Sequence, residues 1–353
     1  MTESAAPAPR PPRRTDNPVV VFWRVLRANP LSLFGFLLVA LICIAALIVV
    51  VAPHLIVPYG ALQETGPINA PPSWHHLFGT DGLSFDVYSE VMLALPLDLG
   101  IGIGIAGISL VIGSSLGLVA GFYDTPGKAS GYASVGIMRL TDIFLSFPSL
   151  ILALAITRVL GAGVVNTAIA ITITWWPYYV RLVRGEVLSL KGLPYVTAAR
   201  AAGVTENRIL IRHVLRNLTE PLVVYFTLDI GTVLVTYSTI GFIGVASKYP
   251  GPQPEWGAML AFYQSGGLIN TYPWLVLAPG GAIFVTVLAF SLLGDGLRDI
   301  LDPRTRRAFV RGAAPEPPAE RPAASSAESS EEPDVPDPSV GGPLPVPDPG
   351  GGA

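Results

Sequence analysis

The chain has 353 residues, 51% of them hydrophobic and only 13% charged, with a mean hydropathy of +0.54. That balance excludes a soluble domain of this length and points to a chain solvated by lipid. The formal charge of −3 is a sum of opposites: residues 312–353 hold eight acids and one base, a share of −7, which leaves +4 for the rest.

One cysteine, Cys43, lies inside an apolar run, so no intrachain disulfide can form. The four histidines have no metal-ligand spacing, and the adjacent His75 and His76 read as solvated loop surface.

In chain order, residues 1–22, with the run PAPRPPRR, read as a flexible arm. Residues 31–51 follow without a charge, long enough at 1.5 Å per residue to cross a hydrocarbon core of about 30 Å. The run is too long for a signal peptide and lacks a small-residue cleavage site. Residues 52–98 form a long connection with proline-rich turns and, at 86–95, a predicted short interfacial helix.

A second span is predicted at 99–122, a third at 140–157 and a fourth at 164–179. Gly113, Gly117 and Gly121 recur every fourth residue in the second, the spacing that lets helices pack backbone to backbone. Gly100, Gly102 and Gly104 do not make a phosphate loop, because no Gly-Lys-Ser/Thr follows them. Pro148 and Pro177 predict kinks in the third and fourth spans. Trp175, Trp176, Tyr178 and Tyr179 read as an interfacial aromatic belt, with an aromatic substrate site as the alternative.

Residues 195–217 (YVTAARAAGVTENRILIRHVLRN) are polar and basic between two apolar runs. They predict a helical hairpin at the membrane surface: an alanine-rich first helix stopped by Gly203, then a second capped by Thr205 and running to Asn217, with Glu206 against its positive end. The small side chains Ala198, Ala199, Ala201 and Ala202 admit close approach of a partner, and Arg200 offers it a charge-assisted contact. A fifth span is predicted at 222–243, a second long loop at 247–273 and a sixth span at 274–293. The tail has no aromatic residue and is dominated by Pro, Ala, Ser, Glu and Gly, so residues 308–353 read as disordered, a solvated extension engaging basic surfaces only at low salt.

Six spans put both termini on one side. The segments on that side hold twenty Lys and Arg residues; the opposite loops hold only Arg158 and Lys248. By the positive-inside rule the termini and the hairpin are cytoplasmic. Asp98 and Asp229 fall in or at the edge of spans, where an ionisable group needs a partner or a water-filled path. Asp98 reads as an interfacial charge.

Five stretches then carry a family resemblance: FGTD at 78–81, FPS at 147–149, RLVRGEVLSL at 181–190, the hairpin with Ala198, Ala199, Gly203, His213 and Leu215, and LGDGLRDILDPR at 293–304. In this order they resemble ATP-binding-cassette importer permeases, specifically the C-type subunit of the dipeptide/oligopeptide/nickel branch, over about residues 24–307. The resemblance implies an all-α membrane protein of six transmembrane helices, with a permease domain over 23–307. It also implies a coupling hairpin, about 186–218, between the fourth and fifth helices. Tyr195, Thr197, Ala198, Ala199, Arg200, Ala202 and Gly203 would dock on an ATPase, and residues 254–260 would form a short external helix. Asp229 matches a position often acidic in the branch, which implies a packing or pathway role. Thr197 stands where relatives usually have glutamate, Arg216 where they have proline, and Phe85 and Pro96 where basic residues are common.

The implied activity is that of a non-catalytic permease subunit importing peptides, nickel or other small solutes. Its implied partners are a second, homologous permease in a heterodimer, two ATPase subunits, a solute-binding protein and the lipid bilayer. ATP and magnesium would serve the ATPases, with no cofactor or metal on this chain and no role for nucleic acid. An ion-coupled carrier using Asp98 and Asp229 is the rival, and it would have no use for the hairpin. An aspartyl intramembrane protease fails on Leu292, which stands where its motif needs glycine before Gly294 and Asp295.

Overall fold

Asn29 begins the first helix: its side-chain oxygen accepts from Leu31 N–H at 3.1 Å and Ser32 N–H at 3.5 Å, and Pro30 occupies the first helical position. This helix, α1 (Pro30–Val51), turns an outer face of exposed leucines and isoleucines to the surroundings, as a lipid-facing span should. The computed structural model describes residues 26–27, 29–124, 129–268 and 270–301. The arm at 1–22 and the tail at 308–353 lie outside the described residues.

Helix α2 (Val87–Phe122) has 36 residues and is about 54 Å long. The interfacial helix expected at 86–95 and the span expected at 99–122 are therefore one element. Pro96 removes a single backbone hydrogen bond, and buried Val91, Ala94, Leu95 and Leu99 hold the helix together on both sides of it.

The expected third span is broken instead of kinked. Helices α3 (Ala129–Leu145) and α4 (Ser149–Leu160) meet at 87° across Ser146, Phe147 and Pro148. Pro148 has no N–H to donate and keeps Phe147 out of the helical region.

After α5 (Val164–Lys191) come the hairpin helix α6 (Pro194–Ala201), α7 (Glu206–Ile209), a π turn at Leu210–Val214, and α8 (Leu215–Phe242). The hairpin's second arm does not end at Asn217: residues 206–242 form one helical run of 37 residues. Pro221 lies inside it between buried Leu218 and Val224. The last helices are α9 (Trp256–Ser265), close to the short helix expected before the final span, and α10 (Trp274–Leu301).

By length and apolarity four helical runs among the described residues can each cross a membrane: α1, α2, residues 206–242 and α10. The bent pair α3–α4 makes a fifth. Helix α5, where the fourth of the six expected spans falls, is 28 residues long with no Asp, Glu, Lys or Arg before Arg181; Arg181, Arg184, Glu186 and Lys191 are confined to its second half.

Helix α2 packs closely on α5 through the predicted glycines. A Cβ added at Gly113 would come within 2.4 Å of Tyr179 Cβ, and at Gly117 and Gly121 within 2.8 Å of Val183 Cβ and Val187 Cβ. Gly35 gives α1 the same closeness to α10 at Leu292.

The two long loops fold together at the end of the bundle opposite the hairpin. Tyr249 donates its hydroxyl to buried Asp81 at 2.8 Å, and Asp81 also accepts the N–H groups of Leu83 and Phe85, both at 2.9 Å. His76 is buried, with Nδ1 at 2.9 Å from Asp86 Oδ1, so the expectation that it is solvated is corrected. Asp86 at once caps α2 through Ser89 N–H at 2.9 Å, and that double duty draws the histidine inward.

Candidate functional site

Helix α6 is short because its sequence supplies both ends. Pro194 sits at its first turn with its fixed φ. Gly203 takes φ +77°, donates to Arg200 C=O at 2.9 Å, and is followed by Val204 N–H to Ala199 C=O at 3.1 Å. This pair of bonds is the Schellman arrangement, which satisfies the last carbonyls and reverses the chain.

The hairpin is anchored from one side. Val196, Ile209, Val214 and Leu218 are buried together with Phe122, Val183 and Val187 at the ends of α2 and α5. Thr197, Ala198, Ala202 and Gly203 stay exposed, and Ala199 is half-buried. The outcome is a rigidly mounted helix that presents a nearly smooth face.

Tyr195, also exposed, accepts a hydrogen bond on its hydroxyl from Asn217 Nδ2 at 2.9 Å, which braces the two arms. Arg200 does not reach outward as expected. Its Nε donates to Glu206 Oε1 at 2.8 Å and a terminal nitrogen to Oε2 at 3.2 Å, and its guanidinium lies over the Phe122 ring. Glu206 thus serves Arg200. Thr205 holds the cap position of α7, but its side chain makes no capping bond there, which corrects the expected hydroxyl cap.

Residues that the sequence pattern did not single out tie this hairpin to α2. Lys191 Nζ donates to Phe122 C=O at 2.7 Å, Arg184 pairs with Asp124 at 3.0 Å, and the Tyr123 hydroxyl donates to Asn207. Asp124 follows α2 directly, and no spacing in the chain relates it to a residue 60 positions on.

The two membrane carboxylates have different settings. Asp98 is not an interfacial charge: it is fully buried, one oxygen accepts Trp256 N–H at 3.0 Å, and Glu255 lies close enough to interact with it. Glu255 is equally buried and caps α9, accepting from Ala258 N–H at 3.2 Å and from the Ser247 hydroxyl at 2.6 Å. Burial pushes the Glu255 carboxyl above its ordinary range.

Asp229, in the middle of α8, is only partly covered. Trp175 Nε1 donates to both of its oxygens, at 3.0 and 2.8 Å, and the Tyr179 hydroxyl donates at 2.8 Å. Trp175, Trp176 and Tyr179 are buried, so the aromatic belt expected there is corrected: three of the four rings face the bundle. Tyr178 alone is exposed, and it joins Tyr179, Leu182, Tyr225 and Asp229 around a cleft of about 110 Å³. Asp98 and Asp229 do not share a site. Among the described residues no group of three or more His, Cys, Asp or Glu side chains is placed to hold a metal.

Comparison with known proteins fits this architecture. Residues 113–307 match the family described as "Binding-protein-dependent transport system inner membrane component". The chain is 37% identical to the glutathione transport system permease protein GsiD of Pectobacterium atrosepticum, over 81% of this chain and 91% of that protein. It is 36% identical to the dipeptide transport system permease protein DppC of Alkalihalophilus pseudofirmus, over 84% and 94%. Among solved structures, an inward-facing MetNI methionine ABC transporter overlaps with a TM-score of 0.47 at 22% identity, covering 60% of this chain and 93% of that one. This chain belongs to the family of binding-protein-dependent transport system inner membrane components, among the ABC importer permeases of the dipeptide/oligopeptide branch.

Proposed function

We propose that the chain is a permease subunit of an ATP-driven importer of dipeptides or other short peptides, and that it performs no covalent chemistry itself. Its relatives named for dipeptide and glutathione transport support a peptide cargo. Two partner ATPase subunits bind ATP with its magnesium and hydrolyse the ATP, a second homologous permease completes a heterodimer, and a solute-binding protein delivers the cargo. The termini and hairpin lie in the cytoplasm, a reading supported by the basic residues on that side of the chain.

The observation that carries the mechanism is the mounting of α6. Tyr195, Thr197, Ala198, Ala199, Arg200, Ala202 and Gly203 form a stiff, small-residue knob on a 37-residue helical run that continues into the membrane. Closure of the ATPase pair moves the knob, and the run carries that motion into the bundle, tipping it between outward and inward openings.

The test is to purify the complex with its binding protein and measure ATPase stimulation by peptides and by nickel chelates, with Gly203→Pro as the uncoupled variant. Stimulation by peptides that is lost in Gly203→Pro supports the reading. Stimulation by nickel chelates alone moves the cargo to the metal members of the branch, and stimulation indifferent to Gly203→Pro removes the coupling role from α6.

A further inference from the structure

The setting of Asp229 leaves a specific demand unmet. A carboxylate inside a span is costly unless its charge and lone pairs are matched. Trp175 and Tyr179 supply three hydrogen bonds, but both are neutral donors, so they aim the carboxylate without balancing its charge. Among the described residues no lysine, arginine or histidine forms an ion pair with it. An ionised carboxylate offers about four lone-pair sites, so capacity remains on the side that faces the cleft.

The cleft itself narrows the choice of cation. Its walls are Tyr178, Tyr179, Tyr225 and Leu182, and Tyr178 and Tyr225 are 46% and 41% exposed, so it opens on the surface of the bundle. A carboxylate floor with aromatic walls suits an ammonium group, which is attracted to both the charge and the ring faces. At about 110 Å³ it is well below the roughly 300–1,000 Å³ that encloses a whole drug-sized ligand, so it takes one group of a larger molecule.

We propose that Asp229, with the rings of Tyr178, Tyr179 and Tyr225, receives the protonated amino terminus of the peptide during its passage. This rests on the peptide-importer reading above and adds the group recognised and the place of recognition. Asp229 and the second arm of the coupling hairpin share one helical run, so the recognised group sits on an element that the ATPase moves through α6.

The test uses the reconstituted complex with Cys43→Ser, which removes the sole native cysteine, and Tyr225→Cys as a reporter. The rate of thiol alkylation at position 225 is measured with millimolar Ala-Ala and with N-acetyl-Ala-Ala, without the binding protein. Ala-Ala is expected to slow alkylation several-fold and the acetylated peptide to have no effect. Asp229→Asn should abolish the protection, and Asp229→Glu should keep part of it. In the complex with its binding protein and native Tyr225, Asp229→Asn should lower the maximal uptake rate of Ala-Ala roughly ten- to hundredfold, the worth of a charge-assisted bond. If Tyr225→Cys prevents assembly, Tyr178→Cys carries the label instead.

Equal protection by the acetylated peptide, or protection that survives Asp229→Asn, overturns the proposal. So does loss of the second permease from the Asp229→Asn complex, which would give the missing cation to that partner. Failure of the peptide reading itself looks different: the unmodified complex would then show no ATPase stimulation by any peptide.

Discussion

The Asp98 carboxylate accepts the backbone N–H of Trp256 at 3.0 Å, fastening the second helix to the first turn of α9 across 158 residues of chain. Both groups are buried, and the second carboxylate at this helix end, Glu255, bonds the N–H of Ala258. Two acids thus share the positive end of one ten-residue helix, where their charge is most easily borne.

Asp98→Ala would strand the Trp256 N–H and should destabilise the chain by about 1–3 kcal/mol. Asp98→Asn keeps an acceptor and removes one of two neighbouring charges, so its cost should be smaller. Thermal unfolding in detergent separates them, and equal losses for the two variants would contradict a hydrogen-bonding role.

Of the three glycines between α2 and α5, Gly113 leaves the least room for a side chain. Gly113→Ala places a methyl 2.4 Å from Tyr179 Cβ and 2.5 Å from Trp176 C=O, so the helices must part, at a cost of about 1–3 kcal/mol. Gly104→Ala meets nothing within 4 Å and should be neutral or slightly stabilising. Because Tyr179 also holds Asp229, the Gly113 variant should lose transport more steeply than its melting temperature alone accounts for.

At Gly203 the space is free and only the backbone objects. A Cβ would touch nothing within 4 Å, yet φ is +77°, which costs an alanine about 1–2 kcal/mol. Gly203→Asn should be milder, since asparagine enters the left-handed region more readily. Peptide-stimulated ATPase activity should therefore fall in the order Gly, Asn, Ala, and a reversed order would show that the turn is not what couples the hairpin.

The loop end should respond to pH. Burial pushes the Asp81 carboxyl above its ordinary range, despite bonds from Phe85, Leu83 and Tyr249 that act the other way. The folded loop therefore favours the protonated form. Its stabilising share is complete below the ordinary carboxylate range and is lost as pH rises through the elevated value. Limited proteolysis of residues 52–86 should be slower in mild acid than at neutral pH, and Asp81→Asn should flatten that difference.

Much of this was legible in the chain. Gly203 after an alanine-rich segment announced the stop of α6, and the four-residue spacing of Gly113, Gly117 and Gly121 announced a close helix contact. The misreadings share a cause, which is that a side chain's direction depends on residues far away in sequence. Trp175 and Tyr179 looked interfacial until Asp229, 54 and 50 positions on, drew them inward. Asp98 looked marginal because it stands just before the apolar run predicted as a span at 99–122, and only the packing of α9 shows its depth. Arg200 looked available to a partner because its own acid, Glu206, lies past the turn.

The run from Glu206 to Phe242 has one more consequence. At 1.5 Å per residue its 37 residues measure about 55 Å, nearly twice the thickness of a hydrocarbon core. A rod of that length acts as a crank. Tilted by ~5°, it sweeps one end through ~5 Å relative to the other, about one helical turn, with no residue along it changing conformation.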